Sequence, residues 1–363
     1  MTNQKGAVIF QGSRTVSTSL FGVSNWYWPW ESSRIEPDQN TYSLARYCNV
    51  GVHQNFNLAW SKIEQVQGTR VWTDLDIWAD AHYAKGKDML LEIGRAPAWA
   101  TTGGVDNKAP LNMADFASWV TAVGNRYNGK IKYWIIRNEP TFTGTTSEFV
   151  DTPEKYAEMA RIASQILKAI NPENKIVGPE SSSCGPSAWA GYTAPALAAS
   201  AVGYDAGLGT GTGTTLLDWI DILSLHPYFP YVKKADLTFD HVRIDYEHNA
   251  QMAQLHAPGK PIWMSEYMAI ANDGIPVANT EYAAVWRQMC MCIVYGVEKF
   301  INFGWGAHAA IWNQNNSTGV AARQWWKDAV TFLTGSPIVR IEVLERGRIL
   351  VTRQDGQQMS DSY

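Results

Sequence analysis

Short apolar runs of strand length recur along the chain, and segments with helical periodicity separate them. The run KIKYWII, for example, is largely apolar and rich in β-branched residues, which is typical of a strand buried on both faces of a parallel sheet. Eight such runs predict the strands Ser19–Asn25, Val52–Ala59, Asp88–Gly94, Ile131–Ile136, Lys175–Pro179, Ile220–Leu225, Pro261–Ser265 and Lys299–Phe303.

The intervening segments carry the start and stop signals of helices. Thr152 precedes Pro153 as a cap before a first-turn proline, and Gly86 and Asn171 stand where helical patterns end. The predicted helices are Gln39–Tyr47, Asp74–Lys85, Met113–Tyr127, Pro153–Ile170, Leu216–Trp219, Asp240–His256, Thr280–Tyr295 and Val320–Leu333.

Strands that alternate with helices in this way predict an α/β fold, a closed (β/α)₈ barrel, which we assign to residues 1–337. An open doubly wound sheet would instead carry a glycine-rich turn after its first strand, where this chain has NWYWPW at 25–30.

Residues 338–363 are too few for a domain, and the alternation in Ile338–Val343 and Arg348–Thr352 predicts a β-hairpin tail. The stretch GYDAGLGTGTG at 203–213 is predicted to be a surface loop.

Composition and charge limit the classes of binding partner that the sequence predicts. A net charge of −4 and a pI of about 6.0 give no electrostatic reason to expect nucleic acid or an anionic membrane as partner. The apolar runs are too short to span a bilayer, and the first residues lack the apolar core of a signal peptide, so the compartment stays open. Cys290 and Cys292 fall on different faces of a predicted helix and are expected to be buried free thiols.

Two predicted strands end in a glutamate. The fourth runs into Asn138, Glu139 and Pro140, and it should stop there because proline cannot donate a ladder hydrogen bond. The seventh runs into Glu266. The carboxyl ends of barrel strands share one mouth, and two carboxylates there are what acid and nucleophile chemistry on a sugar requires. A lone Asn-Glu-Pro is more often a capping or surface carboxylate, but the second glutamate favours catalysis.

Other strand ends carry imidazole, phenol or indole groups. His226 and Tyr228 follow the sixth strand, where we interpret them as a hydrogen-bonding wall around the nucleophile, although a lone histidine is more often a core residue. Trp305, after the eighth strand, suits a platform under a sugar ring, and Trp99 and Trp28 would lengthen a groove. Tryptophans inside helical patterns are assigned to helix–barrel packing: Trp72, Trp78, Trp119 and Trp286.

The chain resembles retaining glycoside hydrolases of clan A, whose barrel carries the acid/base in an Asn-Glu pair on strand four and the nucleophile on strand seven. The segments LAWSKIE at 58–64 and LLEIGRAPAWA at 90–100 are most similar to glycoside hydrolase family 39 and its relatives. Arg137 departs from the tryptophan frequent in that family, and Asn55 stands nearest to the arginine that many relatives have near the end of strand two. The tail also leaves no room for the accessory β-domain of family β-xylosidases.

The resemblance implies that Glu139 is the general acid/base and Glu266 the nucleophile of a double displacement. Asn138 is then suited to the sugar 2-hydroxyl, and His226 and Tyr228 to donating hydrogen bonds toward Glu266. The substrate is expected to be a β-linked polysaccharide or oligosaccharide, with no cofactor and no metal. Because the tryptophans are spread around the mouth, we expect endo cleavage.

Three alternatives remain open. The first is an exo-acting β-glycosidase such as a β-xylosidase. The second is a carbohydrate-binding barrel that has lost activity, which the presence of both glutamates disfavours. The third is a barrel that uses the glutamates as metal ligands, for instance an isomerase. That arrangement needs further carboxylates or histidines at neighbouring strand ends, and the sequence offers only His226 there.

Overall fold

The computed structural model describes residues 7–25, 44–47, 58–140, 142, 148–182, 189–201, 213–226, 239–267, 278–305, 317–344 and 348–360. Three residues singled out in the sequence lie outside this part of the chain, namely Trp28, Asn55 and Tyr228. The glycine-rich stretch also lies outside it, apart from its last residue, Gly213.

Eight parallel strands close into a barrel, as predicted. The strands in the described part of the chain are β1 (Val8–Arg14), β2 (Phe21–Asn25), β3 (Leu44–Tyr47), β4 (Asp88–Glu92), β5 (Tyr133–Ile135), β6 (Lys175–Ser182), β7 (Ile222–His226), β8 (Ile262–Tyr267), β9 (Lys299–Trp305), β10 (Ile338–Val343), β11 (Ile349–Arg353) and β12 (Gln358–Ser360). Strands β2 to β9 pair in chain order, and β9 returns to β2 with Phe300 opposite Phe21.

Helices connect the barrel strands, and most lie close to their predicted bounds. They are α1 (Trp60–Ile63), α2 (Thr73–Tyr83), α3 (Met113–Arg126), α4 (Pro153–Ile170), α5 (Ala194–Ala198), α6 (Leu216–Trp219), α7 (Phe239–His256), α8 (Ala278–Tyr295) and α9 (Ser317–Gly335). In α4 the Thr152 hydroxyl accepts a hydrogen bond from the Lys155 backbone N–H at 3.3 Å, which is the predicted cap. Among the described residues, no helix is long and apolar enough to cross a membrane.

The second barrel strand was predicted in the wrong place. It is β3, which falls in the segment predicted as the helix Gln39–Tyr47, whereas Leu58 and Ala59, at the end of the predicted strand Val52–Ala59, form a turn into α1. Four residues are too few for periodicity to separate a strand from a helix. Strand β3 carries Arg46, whereas Asn55 lies outside the described residues, so its correspondence to the arginine of the relatives stays a prediction.

The tail forms more than a hairpin. Strands β10 and β11 pair antiparallel as predicted, with Ile341 opposite Val351. The sheet then gains β12 on one side and the amino-terminal β1 on the other, giving the order β1-β10-β11-β12. Strand β1 was not predicted, because its run VIFQGSR is polar over its second half.

The core has an inner and an outer part. The inner part contains one residue from each of the seven strands β3 to β9, namely Leu44, Leu90, Ile135, Val177, Ile222, Trp263 and Ile301. The outer part lies between strands and helices, where Trp78, Trp119 and Trp286 are buried, and Trp72 stacks on Trp119 with ring centroids 5.4 Å apart. The packing role predicted for these tryptophans is confirmed. Cys290 and Cys292 are buried and free, also as predicted.

Candidate active site

The carboxyl ends of four consecutive barrel strands bring ionisable side chains together. Glu139 follows β5, Glu180 lies within β6, His226 ends β7 and Glu266 lies near the end of β8. Parallel strands in a barrel open at the same mouth, so residues far apart in the sequence become neighbours there. The predicted pair of glutamates is part of this group, and Glu180 is an addition to it.

His226 is the centre of the group. Its Nδ1 lies 2.8 Å from Oε1 of Glu139, and its Nε2 lies 3.0 Å from Oε2 of Glu180. The distance from Nδ1 to Oε2 of Glu266 is 3.9 Å, which is too long for a hydrogen bond. The expected hydrogen bond from His226 to the nucleophile is therefore replaced by one to the other glutamate, and Glu266 interacts with the ring through charge.

The three carboxylates differ in their access to solvent. The side chain of Glu139 is 25% exposed, that of Glu266 is 5% exposed, and those of Glu180 and His226 are fully buried. Of the three carboxylates, Glu139 can therefore reach a molecule in the mouth most easily, and Glu180 is closed off from solvent.

The backbone is unusual at two of these positions. Glu139 has φ +39° and Glu180 has φ +61°, so both lie in the left-handed region that non-glycine residues seldom adopt. Such residues cost roughly 1–3 kcal/mol each and cluster at functional sites, where the surrounding structure holds them. The turn at each position carries the carboxylate away from the regular pleat and toward the imidazole.

Donor atoms from three of the residues are very close. One oxygen of Glu139, one oxygen of Glu266 and a ring nitrogen of His226 all lie within 4.8 Å of one another. This spacing suits two carboxylates that act on one anomeric carbon. It is also close enough for these three residues to share a metal ion, and no other group of this kind occurs in the described part of the chain.

Neighbouring carboxylates determine the protonation state of His226. Burial lowers its pKa, but the carboxylates of Glu266, Glu139 and Glu180 together outweigh that effect and raise the pKa to about 9. The ring is therefore an imidazolium at neutral pH, surrounded by three acidic groups from three different strand ends.

Arg137, the departure from the family pattern, has a structural role. Its guanidinium is fully buried, forms an ion pair with Glu92 of β4 and donates to the Glu148 carbonyl. The Tyr156 hydroxyl of α4 then donates to the carbonyls of Arg137 and Pro179, at 3.3 and 3.2 Å. These contacts tie together the ends of β4, β5 and β6, directly before the two glutamates with left-handed backbone.

The structure describes some of the predicted sugar-binding residues. Asn138 is fully buried beside Glu139. Trp99 is half-buried, packs edge-on against Trp60 with centroids 6.1 Å apart, and donates its indole N–H to the Glu64 carbonyl at 2.7 Å. Trp305 is the last residue of β9 and stands opposite Asn25 of β2 in the barrel register. Trp28 and Tyr228 lie outside the described residues, so their assignment stays a prediction.

A cavity of about 760 Å³ opens on the same side of the barrel. Its walls come from the segments that follow the carboxyl ends of β3, β4 and β5, and they include Ser61, Lys62, Asp106 and Lys108. Arg95 links this cavity to Arg137, because it binds Asp106 at 3.0 Å and forms an ion pair with Glu148, whose carbonyl accepts a hydrogen bond from Arg137.

Glu180 is the residue that sequence reasoning missed. The fifth strand was predicted to end at Pro179, three residues before its end at Ser182, so the carboxylate that follows Pro179 was not considered. A signal was present, because Pro179-Glu180 places an acidic residue at a strand end, as Asn138-Glu139 does. Its partners, Ser224 and His226, lie more than forty residues further along the chain, and nothing local indicates them.

A closed (β/α)₈ barrel with two glutamates at the ends of its fourth and seventh strands is the arrangement of clan A glycoside hydrolases, which act with retention of configuration. The family profile described as cellulase (glycosyl hydrolase family 5) matches residues 40–317. The chain therefore belongs to glycosyl hydrolase family 5 and is a retaining glycoside hydrolase of clan A.

Solved structures share this fold at low sequence identity. A monomeric β-xylosidase from Caulobacter crescentus has a TM-score of 0.64 and 16% identity, over 97% of this chain and 77% of that one. A family 39 glycoside hydrolase from Bacteroides cellulosilyticus has a TM-score of 0.60 and 14% identity, over 94% and 71%. A family 30 endoxylanase from Clostridium papyrosolvens has a TM-score of 0.57 and 15% identity, over 96% and 84%. No curated protein sequence matches the chain.

Proposed function

We propose that this enzyme cleaves β-glycosidic bonds of a polysaccharide or oligosaccharide, with Glu266 as nucleophile and Glu139 as general acid/base. The supporting observation is the spacing of the two carboxylates: one oxygen of Glu139 and one oxygen of Glu266 lie within 4.8 Å of each other and of a ring nitrogen of His226. Retaining enzymes have their carboxyl groups about 5–5.5 Å apart, whereas inverting enzymes leave about 6.5–9.5 Å for a water molecule. The short distance supports direct attack by Glu266.

In the first step, an oxygen of Glu266 forms a bond to the anomeric carbon while the bond from that carbon to the leaving oxygen breaks. Glu139 gives its proton to the leaving oxygen. The greater exposure of Glu139, at 25% against 5% for Glu266, supports this division of roles. The acid has to reach the leaving group in the groove, and the nucleophile has to lie beneath the sugar.

In the second step, a water molecule attacks the glycosyl-enzyme. Glu139, now ionised, takes a proton from the water as its oxygen bonds to the anomeric carbon, and Glu266 leaves as a carboxylate. The sugar carries the β configuration again. The imidazolium of His226 is hydrogen-bonded to Glu139 and so can stabilise its ionised form between the two steps.

Neighbouring side chains would position the substrate. Asn138 is next to the acid/base and suits the 2-hydroxyl of the sugar whose bond is cleaved, where hydrogen bonds strengthen in the transition state. Trp305 ends β9 and Tyr228 comes two residues after the end of β7, the two strands that flank β8 with its nucleophile. Trp99 and Trp28 follow strands further round the barrel, where they would contact sugar units beyond the cleaved bond.

Endo cleavage is the mode we favour. The cavity of about 760 Å³ beside β3, β4 and β5 offers room for sugar units beyond the reacting one, and its lining is polar as well as apolar. A site that binds several units can hold the interior of a chain. The alternative is exo cleavage, as in a β-xylosidase, which is supported by the shared fold of the Caulobacter crescentus enzyme.

Product lengths distinguish the two modes. Soluble xylan, carboxymethylcellulose and mixed-linkage glucan are digested with the purified enzyme, and products are separated by chromatography from the first minutes onward. A ladder of intermediate oligosaccharides early in the reaction is the expected result. Monosaccharide alone at the earliest times would show exo action instead.

Covalent trapping tests the nucleophile separately. Activated 2-deoxy-2-fluoro glycosides slow both steps but leave the first one fast enough for the glycosyl-enzyme to accumulate. With xylosyl, glucosyl, xylobiosyl and cellobiosyl reagents, we expect mass spectrometry to place the label on the peptide that contains Glu266. The Glu266→Gln variant should stay unlabelled, and a label on another peptide would refute the assignment.

A further inference from the structure

Glu180 is a fully buried carboxylate in the centre of the site, and the double displacement described above does not use it. It lies on β6, between the strand end that carries Glu139 and the strand that ends in His226. It is hydrogen-bonded to Ser224 and to His226, and His226 in turn contacts Glu139, so Glu180 can act on the acid/base through the imidazole.

The hydrogen bonds of Glu180 determine where the protons of His226 lie. The Ser224 hydroxyl donates to Oε1 of Glu180, and the same hydroxyl is hydrogen-bonded to the Ser265 hydroxyl. Oε2 of Glu180 lies 3.0 Å from Nε2 of His226. An ionised carboxylate only accepts hydrogen bonds, so Nε2 must carry a hydrogen. The other nitrogen, Nδ1, then faces Glu139.

We propose that Glu180 is a positioning residue for the acid/base step. It holds His226 with its Nε2–H donated to Glu180 and its Nδ1 directed at Glu139, and its negative charge balances that of the imidazolium. This inference rests on the proposed role of Glu139 as acid/base.

The charge balance explains why a third carboxylate is needed. Among the described residues, the acidic groups that face His226 are Glu139 from the end of β5, Glu180 from β6 and Glu266 from β8. Desolvation, and then the charge of Glu180, raise the pKa of the Tyr156 phenol on α4, so that group stays neutral. Without Glu180, less negative charge would offset the imidazolium, and the positive ring beside Glu139 would favour loss of the proton from the acid. With Glu180 ionised on the far side of the ring, Glu139 can retain its proton until the leaving oxygen takes it.

The first experiment observes His226 directly and does not depend on activity. The chain has seven histidines, and the ring ¹⁵N signals of His226 are identified by their loss in His226→Asn. In the wild-type enzyme we expect a hydrogen on Nε2 across the titration. In Glu180→Gln, which preserves the shape of the side chain, we expect the ring to titrate about 1–3 pH units lower, because a neighbouring opposite charge is gone.

Two further variants provide controls. Glu158→Gln removes another buried carboxylate, one that pairs with Arg161 on α4, and should leave the His226 titration unchanged. Ser224→Ala weakens the hold on Glu180 but keeps its charge, so its effect on the titration should be small. A wild-type spectrum in which Nε2 carries no hydrogen would overturn the proposal even if Glu180→Gln did not fold.

The second experiment measures the consequence for catalysis. For substrates with poor leaving groups, Glu180→Gln should lower kcat about 10- to 100-fold with little change in KM, and the alkaline limb of kcat/KM should move to lower pH. Substrates with activated phenol leaving groups should be largely spared in the first step. Equal losses on both substrate classes, or an unmoved alkaline limb, would contradict a positioning role.

The two experiments separate this inference from the proposed function. If Glu139 were not the acid, the loss of activity in Glu139→Ala would not depend on the leaving group, whatever the spectrum of His226 shows. If Glu139 is the acid but Glu180 has no positioning role, Glu139→Ala would show that dependence, while Glu180→Gln would leave the His226 titration in place.

Discussion

Nδ1 of His226 lies 2.8 Å from Oε1 of Glu139 and 3.9 Å from Oε2 of Glu266. The imidazole is therefore hydrogen-bonded to the proposed acid/base and interacts with the proposed nucleophile only through charge. This asymmetry gives the two glutamates different surroundings, which is what two carboxylates in one site need if one is to hold a proton and the other is not.

The pKa of His226 predicts a pH-dependent contribution to stability. Because the three carboxylates raise that pKa from 6.5 to about 9 against the opposing effect of burial, its contribution is complete below about pH 6.5 and is lost as the pH rises through about 9. At 1.36 kcal/mol per pKa unit, the loss is about 3 kcal/mol. Urea unfolding between pH 6 and 10 gives the free energy of unfolding of the wild-type enzyme and of His226→Asn. The difference between these two free energies should narrow by about 3 kcal/mol as the pH rises. Parallel curves would contradict a protonated His226.

Removing the acid should affect substrates according to their leaving groups. Glu139→Ala should lose about 10²- to 10⁴-fold in kcat/KM on natural oligosaccharides, which need protonation of the leaving oxygen, and much less on activated aryl glycosides. Steady-state kinetics on both classes checks this. Glu173→Ala, which removes a glutamate that is 72% exposed and lies just before β6, should match the wild type on both classes. Equal losses on both classes for Glu139→Ala would mean that another residue is the acid.

Removing the nucleophile should stop turnover and allow chemical rescue. Glu266→Ala opens space beneath the sugar, so azide or formate can attack the anomeric carbon of an activated β-glycoside from that side. We expect some activity to return with added azide, and the product to be the α-glycosyl azide by NMR and mass spectrometry. A β-glycosyl azide, or full activity without azide, would rule out Glu266 as the nucleophile.

A chelator distinguishes the glycosidase from a metal-dependent barrel. Donor atoms of Glu139, His226 and Glu266 are close enough to share a metal ion, but the double displacement needs none. Dialysis against EDTA should leave kcat/KM on an aryl glycoside unchanged, and added Mn²⁺, Mg²⁺ or Zn²⁺ should not increase it. If activity were lost and one of these ions restored it, the result would favour the hypothesis of a metal-dependent enzyme.

Much of the barrel follows from local sequence signals. The apolar runs before Glu139 and Glu266 are long enough to identify as buried strands, and the bounds of α4 follow from its cap and its terminal Asn171. Strand β3 was not predicted because it has only four residues, and its place in the barrel depends on pairing with β2 and β4. That pairing is a property of the closed sheet and leaves no periodicity in the segment itself.

The types of side chain in the site were predictable from the sequence, but the contacts between those side chains were not. Strand ends with glutamate and histidine indicate which groups reach the mouth, because all barrel strands open on one side. Which group contacts which depends on backbone turns at single residues, such as the left-handed φ of Glu139 and Glu180. The binding of His226 to Glu139, and the participation of Glu180, therefore required the three-dimensional structure.

The configuration of the first-formed product tests the central claim most directly. Proton NMR follows the anomeric signals during hydrolysis of a β-linked oligosaccharide or aryl β-glycoside, before mutarotation mixes the anomers. If Glu266 attacks and Glu139 serves both steps, the β-anomer appears first and the α-anomer grows in later. Initial release of the α-anomer would contradict the double displacement and the roles assigned to both glutamates.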